Sequence, residues 1–237
     1  MTHLKSLAAP SHYPKTKGVF ATRPRAGPHP AHESIPLLVL VRDVLGLAED
    51  AATAKKIIKM RKILVDGKVV IDHRFPLGLM DVVSIPDNEE YYRILPFPGK
   101  GLSPLKIDAD EAGFKLGQIL RKMHVRGGHL QFTLHDGRNL RFKEVDEART
   151  YRTYDTFKIS IPDQAILGYQ RMEVGAYAFI HHGSKMGLHG RITVIRREVA
   201  YPDKPTVTIE GTRAGKVTTL LTHIMPVGDE RPWLALP

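Results

Sequence analysis

Between residues 50 and 85 the spacing of apolar and polar positions changes period. Ala51, Ala54, Ile57 and Ile58 fall on one helical face, behind Asp50, a residue type favoured at helix N-termini. Lys55, Lys56, Lys59 and Lys62 take the other faces, with Arg61 beside them. The pattern then shortens to β runs at 63–65 and 68–71 on either side of Asp66-Gly67. That pair suits a type I′ turn, whose two central residues both need φ > 0. A third run, 81–85, follows Pro76-Leu77-Gly78. Upstream, 35–47 is nearly all apolar, and Leu37, Leu38, Val41, Val44 and Leu45 recur at helical spacing. This predicts a buried helix packed on the basic one and ended by Gly46.

From Tyr91 the chain reads as β-rich, beginning with a strand at 91–95. Asp108 and Glu111 stand at capping-box spacing, which predicts a short helix near 109–115. A strand at 116–125 is turned by Arg126-Gly127-Gly128 into the alternating run Leu130, Phe132, Leu134. Asp136-Gly137 turns it again toward Leu140 and Phe142, and Phe157, Ile159 and Ile161 form a further period-two run ended by Pro162. Beyond Glu173, β runs at 177–180 and 191–195 flank a loop punctuated by Gly183, Gly187 and Gly190, with strands near 206–210 and 216–221. Glycine there permits positive φ and close approach of backbone to a ligand.

Residues 1–35 differ from all of this. Pro10, Pro14, Pro24, Pro28 and Pro30 break any helix, Glu33 is the only acid, and the apolar positions have no period. Such a segment buries too little surface to offset its ordering entropy, so it is expected to be extended and mobile when free and to order on an anionic surface. The expected fold class is α+β and multidomain. It comprises a basic Pro-rich extension (1–35), a helix–hairpin module (36–95), a central, mostly antiparallel β domain (96–165), a C-terminal β-rich domain (166–225) and a tail (226–237).

Charge narrows the choice of partner. The chain has 237 residues, with 35 Lys plus Arg against 25 Asp plus Glu, a formal charge of +10 that favours a polyanion: RNA, DNA or an anionic membrane. Cysteine is absent, which excludes disulfide frameworks, thiol nucleophiles and Cys-ligated metal centres. No apolar run approaches the ~18–20 residues of a membrane span, and the opening residues lack the apolar core of a secretory signal. The expectation is a cytoplasmic protein with no membrane partner. Adjacent His181 and His182 in a strand would face opposite sides, so with His189 they make a poor metal site. There is no Walker A loop, no GxGxxG after a strand and no HExxH. No catalytic residue, cofactor, metal or small-molecule substrate is expected.

Three short stretches, AKKIIK, ILVDGKVV and DVVSI, resemble the small RNA-binding module of bacterial-type ribosomal protein S-four, some pseudouridine synthases and tyrosyl-tRNA synthetases. The stretch EVGAYAFIHHGSKMGLHGRITVI resembles the KOW motif, a small SH3-like barrel. With HLKSLAAPSHYP, GVFATRPRAGPHP, PLGLMDVVSI, LHDGRNLRF and the closing PWLALP, the chain resembles over nearly its full length the ribosomal protein S-four-e family of archaea and eukaryotes, and its compact length suggests the archaeal branch. The resemblance implies a structural role on the small ribosomal subunit without catalysis. The implied partners are small-subunit rRNA and neighbouring small-subunit ribosomal proteins. Candidate RNA contacts are Lys5, Lys15, Lys17, Arg23 and Arg25 in the arm, Arg42, Lys55, Lys56, Lys59, Arg61, Lys62 and Lys68 in the module, and Lys185 and Arg191 around the glycine loop. Two alternatives reuse the same parts. An RNA-modifying enzyme would need a catalytic signature of its own, and a KOW-bearing transcription factor would need a polymerase-binding domain.

Overall fold

A computed structural model describes residues 3–14, 18–143, 148–211 and 215–237. It divides into two compact units, the first made of Met1–Pro96, Lys100–Lys115 and Ile161–Asp163, the second of Phe97–Gly99, Leu116–Ser160 and Gln164–Pro237.

In the first unit β1 (Leu4–Lys5) pairs with β2 (Phe20–Ala21), and β3 (Ile35–Pro36) leads into α1 (Leu37–Val39). The helix widens at once into a π turn, Leu40–Val44, in which the Leu45 N–H reaches back to the Leu40 carbonyl at 2.9 Å. Gly46, at φ +66°, follows it. α2 (Ala51–Lys59) is capped by Asp50, whose carboxylate accepts the Thr53 N–H at 2.6 Å. Its inner face, Ala54 and Ile58, is fully buried against Leu37, Leu38, Leu40 and Val41 in one core with Ile63, Val65, Leu77, Val83 and Ile94. The two helical segments therefore pack as the apolar spacing predicts, except that the π turn carries Val44 out to solvent.

β4 (Leu64–Val65) and β5 (Lys68–Val69) form the expected hairpin, with Asp66 at φ +49° and Gly67 at φ +73°. β6 (Pro76–Leu77) pairs with β3. β7 (Val82–Ile85), β8 (Glu90–Phe97) and β9 (Gly101–Ile107) complete a sheet ordered β5-β4-β7-β8-β9. β9 escaped the sequence pattern because Ser103 and Pro104 interrupt it, and proline is tolerated where it lies, on a sheet edge. α3 is only Ala109–Ala112, and Asp108 makes no side-chain cap bond, so the capping box expected there does not form.

The arm departs from expectation. Tyr13 is 4% exposed, Ser34 is fully buried, and the His12 ring meets the Ser34 carbonyl at 3.1 Å. Leu7 and Phe20 stay exposed. The arm is held mainly by polar partners, which hydrophobic periodicity does not register. The Arg25 N–H donates to the Arg74 carbonyl at 2.8 Å, and buried His29 meets the Asp81 carboxylate at 3.1 Å.

The second unit contains two five-stranded sheets. The first consists of β10 (Phe114–Val125), β11 (His129–Leu134), β12 (Asn139–Phe142), β13 (Thr156–Ser160) and β14 (Ile166–Gln170), ordered β12-β11-β10-β13-β14. Its inward residues Ile119, Leu130, Phe132, Leu134, Phe157 and Ile159 form the core. The second consists of β15 (Tyr177–Ile180), β16 (His189–Arg196), β17 (Thr206–Gly211), β18 (Gly215–Leu220) and β19 (Ile224–Gly228), ordered β18-β17-β16-β15-β19.

β14 and β19 lie outside the expected strands. Gly168 breaks the pattern of β14. β19 is buried at every position and carries Pro226 beside a register shift on the sheet edge. The expected boundary at 95/96 falls inside β8, that at 165/166 between the paired strands β13 and β14, and that at 225/226 inside β19. The last residues return to the sheet as well. The Trp233 N–H donates to the Val227 carbonyl at 3.0 Å, and the His189 ring approaches the Pro237 carbonyl at 3.3 Å. Among the described residues the chain is mostly strand with few helices, an α+β fold.

Candidate nucleic-acid interface

Once the inner face of α2 is committed to the core, Lys55, Lys56 and Lys59 remain exposed. The loop after β5 lies within the field of Lys55 and Lys59 and holds the arm. Arg74 Nε donates to the Arg23 carbonyl at 2.9 Å, and the Arg25 guanidinium stands 3.5 Å from the Asp72 carboxylate. The His73 pKa is lowered first by burial and then by Lys55, with Arg74 and Lys59 adding to the effect against Asp72. His73 thus lies in the field of both the lysine helix and the arginine-bearing loop. Arg74 holds Arg23 and Arg25 of the arm, and the field of Lys55 and Lys59 reaches the neighbouring His73; the spacing of apolar residues marks neither His73 nor Arg74. The available signal was the Asp72-His73-Arg74 triplet inside a stretch that otherwise reads as a connection.

The other candidates separate. Lys5 is exposed on β1, Arg61 is exposed at φ +61° just beyond α2, and Lys68 is exposed on β5. Lys62 stands 2.5 Å from Asp87 in a half-exposed pair, an interaction of small net worth. Arg42 places Nε and Nη2 on the two oxygens of Asp43 at 2.7 and 2.8 Å, so those donors are already engaged. Lys15 and Lys17 lie outside the described residues. In the second unit Lys185 is exposed in the glycine loop, and exposed Arg191 reaches the Glu230 carbonyl at 3.3 Å.

The loop's glycines serve packing. A Cβ on Gly187 would fall 2.5 Å from the Pro98 backbone nitrogen, and one on Gly190 2.4 Å from the Glu210 carbonyl oxygen. The close approach that the sequence reading reserved for a ligand is taken by the protein's own backbone.

The first unit also contains a buried ionic frame. Lys115, 1% exposed, sets its ammonium 2.9 Å from Asp66 and 2.5 Å from Asp81. Asp66 also accepts the Val82 N–H at 3.0 Å, and Asp81 accepts the Gly78 N–H at 2.9 Å. Burial alone would raise the Asp81 carboxyl, but Lys115 and His29 outweigh it and hold its pKa well below the usual carboxylate range. Arg93 is fully buried, donates to the carbonyls of Glu111 and Phe114 at 2.7 and 3.1 Å, and has its pKa pushed down by burial to about 10. Neither cation is available to a ligand; both hold the interior of the first unit together. Among the described residues no group of three or more His, Cys, Asp or Glu could hold a metal ion. Among the same residues, no helix is long and apolar enough to cross a membrane.

These features define a basic, strand-rich α+β protein that sorts its cations into a buried frame and an exposed face. Residues 88–166 match the ribosomal family S4e, and residues 2–32 match the RS4NT (NUC023) domain. The small ribosomal subunit protein eS4 of Hyperthermus butylicus is 43% identical over 99% of this chain and 95% of its own length. That of Methanocaldococcus jannaschii is 45% identical over 99% and 97%. The crystal structure of the 30S ribosomal protein S4e from Thermoplasma acidophilum aligns with a TM-score of 0.69 at 28% identity, covering 83% of this chain and 96% of that one. The chain belongs to the ribosomal S4e family.

Proposed function

We propose that the chain is a structural constituent of the small ribosomal subunit that binds and stabilises small-subunit rRNA through several basic surfaces. The observation that carries this reading is the exposed cationic face of α2, Lys55, Lys56 and Lys59, whose field reaches His73 in the loop that also holds Arg23 and Arg25 of the arm. Membership of a ribosomal family supports it, and sets aside both the RNA-modifying enzyme and the transcription factor. In this reading residues 36–95 act as an S-four-like RNA-binding module and 166–225 as a KOW-like, SH3-type barrel. Lys5, Lys56, Arg61, Lys68, Lys185 and Arg191 contribute further phosphate contacts. Its partners are rRNA and adjoining small-subunit proteins, and its place is the cytoplasmic ribosome.

Phosphate contacts by lysine release condensed counterions, so affinity falls steeply with salt. Replacing Lys55, Lys56 and Lys59 together by Gln is expected to reduce the slope of log K against log salt by about 2–3 units, at roughly 0.7–0.9 per phosphate. Filter binding to small-subunit rRNA measures it. An unchanged slope would show that this face is merely solvated. Sedimentation of particles at low magnesium should place the protein with the free small subunit.

A further inference from the structure

The second unit contains an arginine-lined cleft that the sequence reading did not mark. Arg149, Arg152, Arg171 and Arg197 line a hollow of about 210 Å³ together with Asp155 and Met172. A shallower groove continues from it along Arg152, Arg196 and Arg197. All five arginines are exposed.

The walls are fixed by one buried carboxylate. Asp155, 1% exposed, accepts the Arg152 N–H at 2.9 Å, the Met172 N–H at 2.8 Å and the Tyr169 hydroxyl, tying together three segments of the cleft. Arg197 is braced by donating Nη2 to the Met172 carbonyl at 2.9 Å. Behind the wall the Lys122 ammonium donates to the carbonyls of Ala148, Arg149 and Tyr151 at 3.1, 3.0 and 2.8 Å. Its pKa is lowered first by burial and then by Arg149 and Arg152, a sign of the positive field there. The carboxylates on the two hollows, Asp155, Glu173 and Glu198, are fewer than the arginines.

Organic cofactors occupy mostly apolar pockets of about 300–1,000 Å³, and this hollow is smaller and lined by guanidinium groups. Planar guanidinium forks match the oxygens of a phosphate. Two adjoining hollows that share Arg152 and Arg197 suit successive charges along a chain better than a single free ion. We propose that this cleft holds two successive phosphates of an RNA backbone, a second RNA contact independent of the lysine face. The proposal rests on the rRNA-binding reading and adds to it a site and the groups that form it.

The test uses the full chain and small-subunit rRNA in a salt series. Arg152→Gln with Arg197→Gln should lower the slope of log K against log salt by about 1.4–1.8 units, with far-UV circular dichroism and Tm confirming the fold. Lysine at both positions should keep the slope but weaken binding, because charge is retained and the fork is lost. An unchanged slope in the glutamine pair, or lysine variants that bind as tightly as the parent, would overturn the proposal. If Lys55, Lys56 and Lys59 replaced by Gln lower the slope while the glutamine pair does not, the cleft fails and the wider reading stands; if neither changes it, both fail. Arg Nε–Hε resonances give a separate readout. Shifts at Arg152 and Arg197 with oligouridylate but not with polyglutamate support the assignment, and the reverse pattern would transfer the cleft to an acidic protein segment.

Discussion

Each unit has an apolar core, but the two add different chemistry to it. In the first, arm, hairpin turn and sheet meet at Lys115, with Asp66 and Asp81 on the ammonium and His29 on Asp81. In the second, the comparable depth is occupied by rings: Phe132 meets Phe142, Tyr151 and Phe157 at centroid distances of 5.3, 5.9 and 6.0 Å. Rings attract broadly and repack when neighbours shift, whereas an ionic cluster is favourable only when every partner is in place. The first unit has few long apolar strands with which to fasten a proline-rich arm, and directional contacts fasten it instead.

The largest expected effects test this contrast directly. Lys115→Met leaves Asp66 and Asp81 buried without their cation and should cost about 3–5 kcal/mol. Phe132→Ala should cost a similar amount, about 3–5 kcal/mol, through the cavity it leaves. The two losses differ in what repairs them. Adding Asp66→Asn and Asp81→Asn to Lys115→Met should recover part of the first loss in denaturant unfolding, since no uncompensated charge remains. No polar substitution should recover the second. Amide exchange should also localise them, with Lys115→Met releasing protection around His29 and Arg25. If the arm stays protected in that variant, the ionic cluster is not what holds it.

Acid destabilises both units, in different pH windows. Asp81 has a lowered pKa in the fold, so its contribution is present above the ordinary carboxylate pKa and is lost as pH falls through the folded value. Loss of arm protection is therefore expected only well below pH ~4, where carboxylates ordinarily titrate. The second unit has its own acid-sensitive group. His181, its Nε2 buried without a partner, has its pKa lowered to about 3, chiefly by burial and then by His135, His182 and His223. Its unfolded form takes up a proton near pH ~6.5 that the folded form refuses. Stability of this unit should thus decline as pH falls from there toward 3, and His181→Phe should flatten that decline. A pH profile in the variant as steep as in the parent would remove His181 as the cause.

How far each part was legible follows the same division. Helix α2, its Asp50 cap and the Asp66-Gly67 turn were readable because apolar spacing and turn chemistry are local. β11 to β13 were readable because their inward positions alternate, and β10 because Arg126-Gly127-Gly128 turns the chain from it into that run. The fastening of the arm was not, since the partners of His29 and Arg25 lie about fifty residues away in sequence and polar pairings leave no period. β9 and β19 were hidden by prolines that edge positions tolerate. Half of the basic face could be read from the lysines of α2, whereas His73 and Arg74 and the arginine cleft required the fold to gather them. The glycine loop misled for the opposite reason, because glycine marks close approach without saying to what.

The smallest expected effect isolates the locally determined part of the first unit from its ionic frame. Asp50→Ala removes the carboxylate that accepts the Thr53 N–H at 2.6 Å. Losing such an exposed cap costs much less than either core change. The Asp50 pKa is lowered chiefly by that backbone hydrogen bond, so the cap should weaken as the carboxylate protonates. The loss belongs to the first turn of α2, while Lys55, Lys56 and Lys59 sit beyond it on a helix pinned by buried Ala54 and Ile58. The variant should therefore unfold at slightly lower denaturant, with faster exchange at 51–54 and unchanged protection at His29. Its rRNA affinity should keep the parental salt slope. A reduced slope would mean that the first turn positions the lysines, making the exposed face depend on local helix order rather than on the apolar core beneath α2.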